Sequence, residues 1–284
     1  MDVEGIFMVL FTHMFRLDHP NKSPIFDYFA PLGASYRGIV SIPHSGETIP
    51  KIFEEYLSGD ITAYREDVDF KVNELVDINA LQEAGIAVLV SHVHRICVDL
   101  NRAEMNCVLF WKENTHGKKL VTKEPTPIES ERLIETYHRP YFEILKATIK
   151  DLEGRKKGPV SVIDLHSMPS TPTGYHLKQN PHQKLHRPQF CLSDRRGKTC
   201  SPEFINFFHN ELMASGYESG MNDPYVGGFV TEFVDQFRTN NIQIEINRSL
   251  YMNESTKELI TPYVSKLKPI LTNALIKGFE KFDS

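Results

Sequence analysis

The chain is poor in cysteine. Cys97, Cys107, Cys191 and Cys200 are its only four, and no two of them form a C-x-x-C pair. That spacing excludes a zinc knuckle and a disulfide-stapled small domain, and it reads as buried free thiols in a reducing compartment. Basic charge is not in excess either: 32 Lys and Arg stand against 37 Asp and Glu, a formal net charge of -5. A general attraction to nucleic acid is thereby excluded, while a locally basic pocket for an anionic substrate is not. Internal repeats and low-complexity tracts are lacking. So is any apolar run near the roughly 20 residues that a membrane helix needs. Gly5 to Phe15 is fairly apolar but has no positive n-region and no small-residue cleavage site after it. It reads as a packed terminal segment, or as sequence ahead of a start at Met14. The expectation is a soluble, cytoplasmic protein with an N-terminal extension over residues 1–35 and one domain over 36–284. Nothing in the sequence speaks to oligomeric state.

What is present is enough for a sizeable core, since 40% of the 284 residues are hydrophobic. Arg37–Ile42, Ile86–Val90, Val160–Leu165 and Ile242–Ile246 are short apolar runs with β-branched residues and read as strands, with Gln189–Leu192 as a further candidate. Asp69–Ala84 has mostly helical spacing and ends at Gly85. Thr126–Leu152 reads as a long helix that Pro140 kinks or divides. Pro202–Ala214 and Lys257–Phe282 carry helical patterns too. Alternating strands and helices predict an α/β fold with a mostly parallel sheet covered on both faces. In such sheets ligands bind beyond the carboxyl ends of the strands.

Chemistry-bearing residues gather at those ends. His44-Ser45-Gly46-Glu47 follows the first strand and Pro43, and a tight turn there can bring an imidazole and a carboxylate onto one ion. His166 follows the third strand, and Asp164 points to the same side of that strand. Two His and one carboxylate leave one tetrahedral position open, as in a catalytic rather than a structural zinc site. Asp164 reads either as a support for the site or as a strand-end carboxylate satisfied by backbone N–H groups. Glu245 lies near the end of the last strand. His92 with His94, and His176 with His182 and His186, are competing histidine sets without a well-spaced carboxylate.

Several segments in register resemble the N-formylglutamate amidohydrolases: Tyr36–Pro50, Tyr64–Phe70, Val98–Arg102, Ile163–Pro169, Asn222–Phe229 and Ile242–Tyr251. The same elements are more distantly similar to zinc carboxypeptidases and aspartoacylase-like deacylases. The resemblance implies a three-layer α/β/α, zinc carboxypeptidase-like fold with a mixed, mostly parallel sheet. It implies one zinc per chain on His44, Glu47 and His166. Glu245 matches the carboxylate that takes a proton from water and returns it to the leaving nitrogen. Asn101 and Arg102 match a pair that binds a substrate carboxylate, and Tyr225 and Gly227 fall in a loop near the pocket. Arg102 is suited to that task because its planar fork donates two parallel hydrogen bonds, and it is also a donor for the tetrahedral oxyanion. Arg248 is a further candidate for the substrate, and its pairing with Glu245 is the competing structural reading. Asp67 and Asp69 read as plain residues at the start of a helix, and Asp99 is left unassigned.

The function implied is zinc-dependent hydrolysis of a small N-acyl amino acid, by type N-formyl-L-glutamate to formate and L-glutamate. The substrate would be a small anion, with neither nucleic acid nor membrane as partner. A metallocarboxypeptidase or peptide amidase of the same fold, and a non-catalytic carboxylate-binding protein, are the alternatives. Departures fall at Cys107–Pro127 and Thr171–Pro188, loops that would border the pocket and select the substrate.

Overall fold

A computed structural model describes residues 25–33 and 36–283. The readings made of Gly5–Phe15 and of a start at Met14 lie outside the described residues. Four apolar runs form the parallel centre of one seven-stranded sheet: β2 (Gly38–Ile42), β3 (Ile86–Ser91), β4 (Val160–Met168) and β7 (Thr239–Asn247). With β1 (Phe26–Phe29), β5 (Phe190–Ser193) and β6 (Ser219–Met221) the order is β1-β3-β2-β4-β7-β5-β6. β1 is antiparallel to β3, and β5 is antiparallel to β7, so the sheet is mixed but mostly parallel. β1 places residues upstream of Tyr36 within this sheet, so the sheet begins before the domain start expected at residue 36.

Side chains on successive strand positions face opposite ways, and both faces are apolar. Ile39, Ala87, Leu89 and Val162 pack on one side with Leu133 of α3 (Pro127–Tyr137), Leu145 and Ile149 of α4 (Arg139–Arg155) and Val230 of α7 (Phe229–Val234). Val40, Val88, Ile163 and Ile244 pack on the other with Leu81 of α2 (Ile78–Glu83), Phe208 of α6 (Pro202–Ala214) and Leu271 and Leu275 of α8 (Thr261–Lys281). The result is three layers, α/β/α. Short α1 (Ile61–Tyr64) and α5 (Gly174–Gln179), and a small hairpin of β8 (Met252–Asn253) and β9 (Glu258–Leu259), lie in connecting segments.

The helix expected over Thr126–Leu152 is two helices: α3 ends at Tyr137 with His138 as its cap, and Pro140 sits in the first turn of α4, where its missing N–H costs nothing. The helix expected over Asp69–Ala84 also differs. Lys71 is left-handed (φ 57°), a 3₁₀ turn spans Val72–Leu75, and α2 starts only after its cap Asp77. No helix among the described residues is long and apolar enough to cross a membrane.

The loop after β2 runs hard against the chain after β3. Thr48 N donates to His92 O (2.9 Å) and His94 N to Thr48 O (2.8 Å). A Cβ on Gly46 would overlap the His92 carbonyl and lie 2.7 Å from that of Val93. Gly46 is thus required by close backbone approach. Gly46→Ala is expected to cost about 1–3 kcal/mol, as overpacking does, and to lower the urea midpoint; an unchanged midpoint would show that the loop can part from β3 freely.

Candidate metal centre and active site

His44 lies just beyond β2, His166 in the last third of β4, and Asp69 in the loop leading to the 3₁₀ turn. Asp69 N donates to His44 O (3.1 Å), which fastens the two loops together. All three side chains are buried. Their nearest ligand atoms lie within 4.8 Å of one another, the arrangement of a metal-binding group.

Each imidazole is held from behind by a carboxylate. His44 Nε2 is 2.7 Å from Asp99 Oδ1, and His166 Nε2 is 2.8 Å from Asp164 Oδ2. Such a partner draws the ring proton to Nε2 and leaves the Nδ1 lone pair facing inward. Burial works against a charged Asp99, but Arg95 and His44 outweigh it and hold the carboxyl well below its ordinary range. Arg95 Nη2 (2.8 Å), Trp111 Nε1 (2.7 Å) and Asn101 N (3.0 Å) all donate to Asp99. Asp164 Oδ1 accepts from Ser41 Oγ (3.0 Å).

Inward, Asp69 Oδ2 stands 2.9 Å from His166 Nδ1 and 3.6 Å from His44 Nδ1. His44 Nδ1 has no hydrogen-bond partner. His166 Nδ1 and Asp69 Oδ2 lie at hydrogen-bond distance, so a proton or a cation must lie between them, and the unpartnered Nδ1 of His44 faces the same point. The titration of the cluster says the same. Burial would lower the His166 pKa, yet Asp164 and the hydrogen bonds to Asp164 and Asp69 raise it well above its ordinary value. The donors fit a divalent cation bound by two Nδ1 atoms and one carboxylate oxygen.

Glu245 pairs in register with His166 across β4 and β7. It is buried, and Gln243 Nε2 donates to its Oε1 (2.7 Å) while Oε2 has no partner. Burial pushes its pKa up to about 7, further than His166 and Arg248 pull it down. A carboxyl so placed can exchange a proton near neutrality.

These groups open onto a cavity of about 1040 Å³. Arg102 lines it, its guanidinium stacked 4.2 Å from the Phe110 ring centre and 5.7 Å from that of Trp111; among the described residues no carboxylate pairs with it. Asn101 also lines it, but its Oδ1 accepts from Val230 N (3.1 Å) and fastens the loop containing Gly227 (φ 106°). Tyr225 faces the same space. Arg248 is buried, and donates to Asp69 Oδ1 (3.3 Å), Ser167 Oγ (3.2 Å) and Glu66 O (3.0 Å) rather than to Glu245.

The expected ligand Glu47 is not in the cluster. Its carboxylate is exposed and meets Arg65 (3.2 Å) and Lys71 (3.6 Å). The turn at Gly46 is pinned to the backbone after β3, and Glu47 follows on its outer side, so Asp69 fills the place. Asp69 was legible only as a helix-start residue. The left-handed backbone at Lys71, which separates it from any helix, has no sequence signature. Asp67, read the same way, accepts from Thr115 N and Oγ1 (2.9 and 2.6 Å). The competing histidines are not in the cluster: His92 pairs with Asp27 (3.0 Å), His186 with Glu218 (3.1 Å), burial pushes the His94 pKa down to about 3, and His176 lines the cavity outside the group.

Comparison with known proteins gives the family and the fold. The family model described as N-formylglutamate amidohydrolase matches residues 37–252. The crystal structure of an N-formylglutamate amidohydrolase from Ralstonia eutropha JMP134 is 26% identical, covers 91% of this chain and 98% of its own, and superposes with a TM-score of 0.79. A gene product from Agrobacterium tumefaciens, 15% identical over 89% of this chain and 95% of its own, shares the fold at a TM-score of 0.63. No curated protein matches the chain.

Replacing the carboxylate behind a metal-binding imidazole weakens metal affinity about 10–100-fold. Asp99→Asn and Asp164→Asn are each expected to do so in a chelator competition, and Glu47→Gln to leave the affinity unchanged. A Glu47→Gln variant that lost its metal would return that residue to the ligand set.

Proposed function

Because the chain belongs to the N-formylglutamate amidohydrolase family, we propose that it hydrolyses the amide bond of a small N-acyl amino acid, by type N-formyl-L-glutamate to formate and L-glutamate, with one zinc per chain. The observation that carries this reading is the convergence of His44 Nδ1, His166 Nδ1 and Asp69 Oδ2 beside the unpartnered Oε2 of Glu245. Zinc at such a group supplies a Lewis acid that polarises an acyl carbonyl and acidifies water.

The remaining roles belong to the chain. Glu245 takes a proton on Oε2 from the attacking water and passes it to the amine nitrogen as the C–N bond breaks. Gln243, on the other oxygen, fixes the rotamer that aims Oε2. Arg102 holds a substrate carboxylate; its aromatic stack orders the guanidinium and leaves its donors free. It also stands as a donor for the developing oxyanion. Asn101 shapes the wall by holding the first turn of α7 through Val230 N, and Gly227, where a Cβ would crowd Thr231 and Arg195, lets the loop ahead of it pass along the cavity. Arg248 serves through Asp69, whose Oδ1 it binds so that Oδ2 faces the histidines.

Glu245→Gln is expected to keep the metal and lose most of its turnover, roughly the 10²–10⁴-fold that a proton-transfer group contributes. Wild-type rates in that variant would remove Glu245 from the reaction. The sign of the pH dependence follows from the same residue. A base works only when ionised, so kcat/KM falls as the pH drops through its pKa. Burial lifts that pKa to about 7, and a bound cation opposes the rise. The acid limb is therefore expected between the ordinary glutamate value of about 4.3 and that upper bound. A rate that rose on acidification through this range would reverse the assignment. Arg102→Ala is expected to raise KM for N-formylglutamate by on the order of ten-fold or more, the loss of a charge-assisted bond; an unchanged KM would exclude Arg102 from substrate binding.

A further inference from the structure

One polar chain at the cavity wall has no part in the chemistry above. Thr173 N donates to His176 Nδ1 (3.1 Å), so Nδ1 is an acceptor and bears no hydrogen. Burial, with Arg187 and Arg248 nearby, pushes the His176 pKa down to about 4, so the ring is neutral at ordinary pH. Its one hydrogen therefore sits on Nε2, 3.2 Å from the Tyr225 hydroxyl oxygen. Arg187 Nη1 donates to the same oxygen (3.3 Å). A phenol oxygen with two donors on it has its own hydrogen left to give. Burial pushes the Tyr225 pKa up to about 12 against the pull of Arg187, so that hydrogen is retained. Among the described residues no acceptor takes it, and Tyr225 lines the cavity.

Arg187 adds a charge argument. It is 1% exposed, and its partners are Pro169 O (3.1 Å), Gln183 Oε1 (3.2 Å) and Tyr225, none of them an anion. A buried cation without a counter-charge is costly, and an anion bound nearby offsets that cost. We propose that Tyr225 reads a carboxylate of the substrate, donating its phenolic hydrogen to one carboxylate oxygen while His176 and Arg187 hold it in that orientation from behind. A neutral carbonyl at the same place would leave Arg187 uncompensated. His176 and Arg187 are positioning residues, acting through Tyr225. The proposal rests on reading this cavity as the active site of an amidohydrolase, and it gives the loop of α5 a task in selecting acidic substrates.

The test uses the metal-loaded enzyme and two readouts. Tyr225→Phe is expected to raise KM for N-formyl-L-glutamate by on the order of ten-fold with little change in kcat, and to weaken calorimetric binding of L-glutamate by a similar factor. His176→Ala should shift both in the same direction, add nothing in the Tyr225→Phe background, and be restored by His176→Gln, whose amide still donates. A fall in kcat at constant KM would place Tyr225 on the reacting carbonyl and overturn the proposal. So would equal glutamate affinity in wild type and Tyr225→Phe, or additive effects of the two substitutions. The binding arm needs no turnover, so failure to cleave N-formylglutamate would count against the function proposed above and leave the role of Tyr225 still decided by affinity.

Discussion

Two inward-facing imidazole nitrogens and a carboxylate at one point form an arrangement that needs positive charge there, a proton or a cation. Much of the active-site wall can be read as answering that constraint. Asp99 and Asp164 fix the ring protons on the outer nitrogens. Arg95 balances Asp99 and Arg248 balances Asp69, carboxylates that would otherwise be buried without counter-charge. Trp111 and Ser41 fill the remaining acceptor positions on Asp99 and Asp164. The convergence of His44 Nδ1, His166 Nδ1 and Asp69 Oδ2 remains as the place for a cation.

The sheet explains why such a cluster can be rigid. Parallel strands end together, so residues beyond β2 and in β4 and β7 reach one region without any loop having to carry them there. The His166–Glu245 register makes the point. Neighbouring positions on adjacent parallel strands set the His166 imidazole beside a buried carboxyl, with Gln243 and Asp164 paired two residues earlier on the same face. Helices on both faces exclude water from the strands and give the carboxyl its raised pKa.

This division decides what the sequence could reveal. The central strands were legible because both faces are apolar, which leaves uninterrupted β-branched runs. Strand-end residues His44, His166 and Glu245 were legible with them, since their positions follow from the strands. Asp69 was not. It lies in a loop whose path depends on a left-handed Lys71 and on a backbone bond to His44, and periodicity reports neither. Glu47 carried the right chemistry at a plausible spacing, but the close approach of Gly46 to His92 turns the chain so that Glu47 meets Arg65 and Lys71 instead. The edge strands β1 and β6 carry little pattern, being short and half-exposed.

The two histidine-bearing regions also differ in how they treat their protons, and that difference separates chemistry from recognition. At the metal centre carboxylates pull protons outward and leave lone pairs facing in, which suits a cation. At Tyr225 the order is inverted: a neutral imidazole and a guanidinium push their hydrogens onto a phenol oxygen, which leaves a donor facing in, which suits an anion. A substrate with a polarisable acyl oxygen at one end and a carboxylate at the other meets complementary partners at both. With Arg102 free on its aromatic stack as a second donor, the wall offers two separate places for negative charge, and an acylated acidic amino acid has two carboxylates to put there.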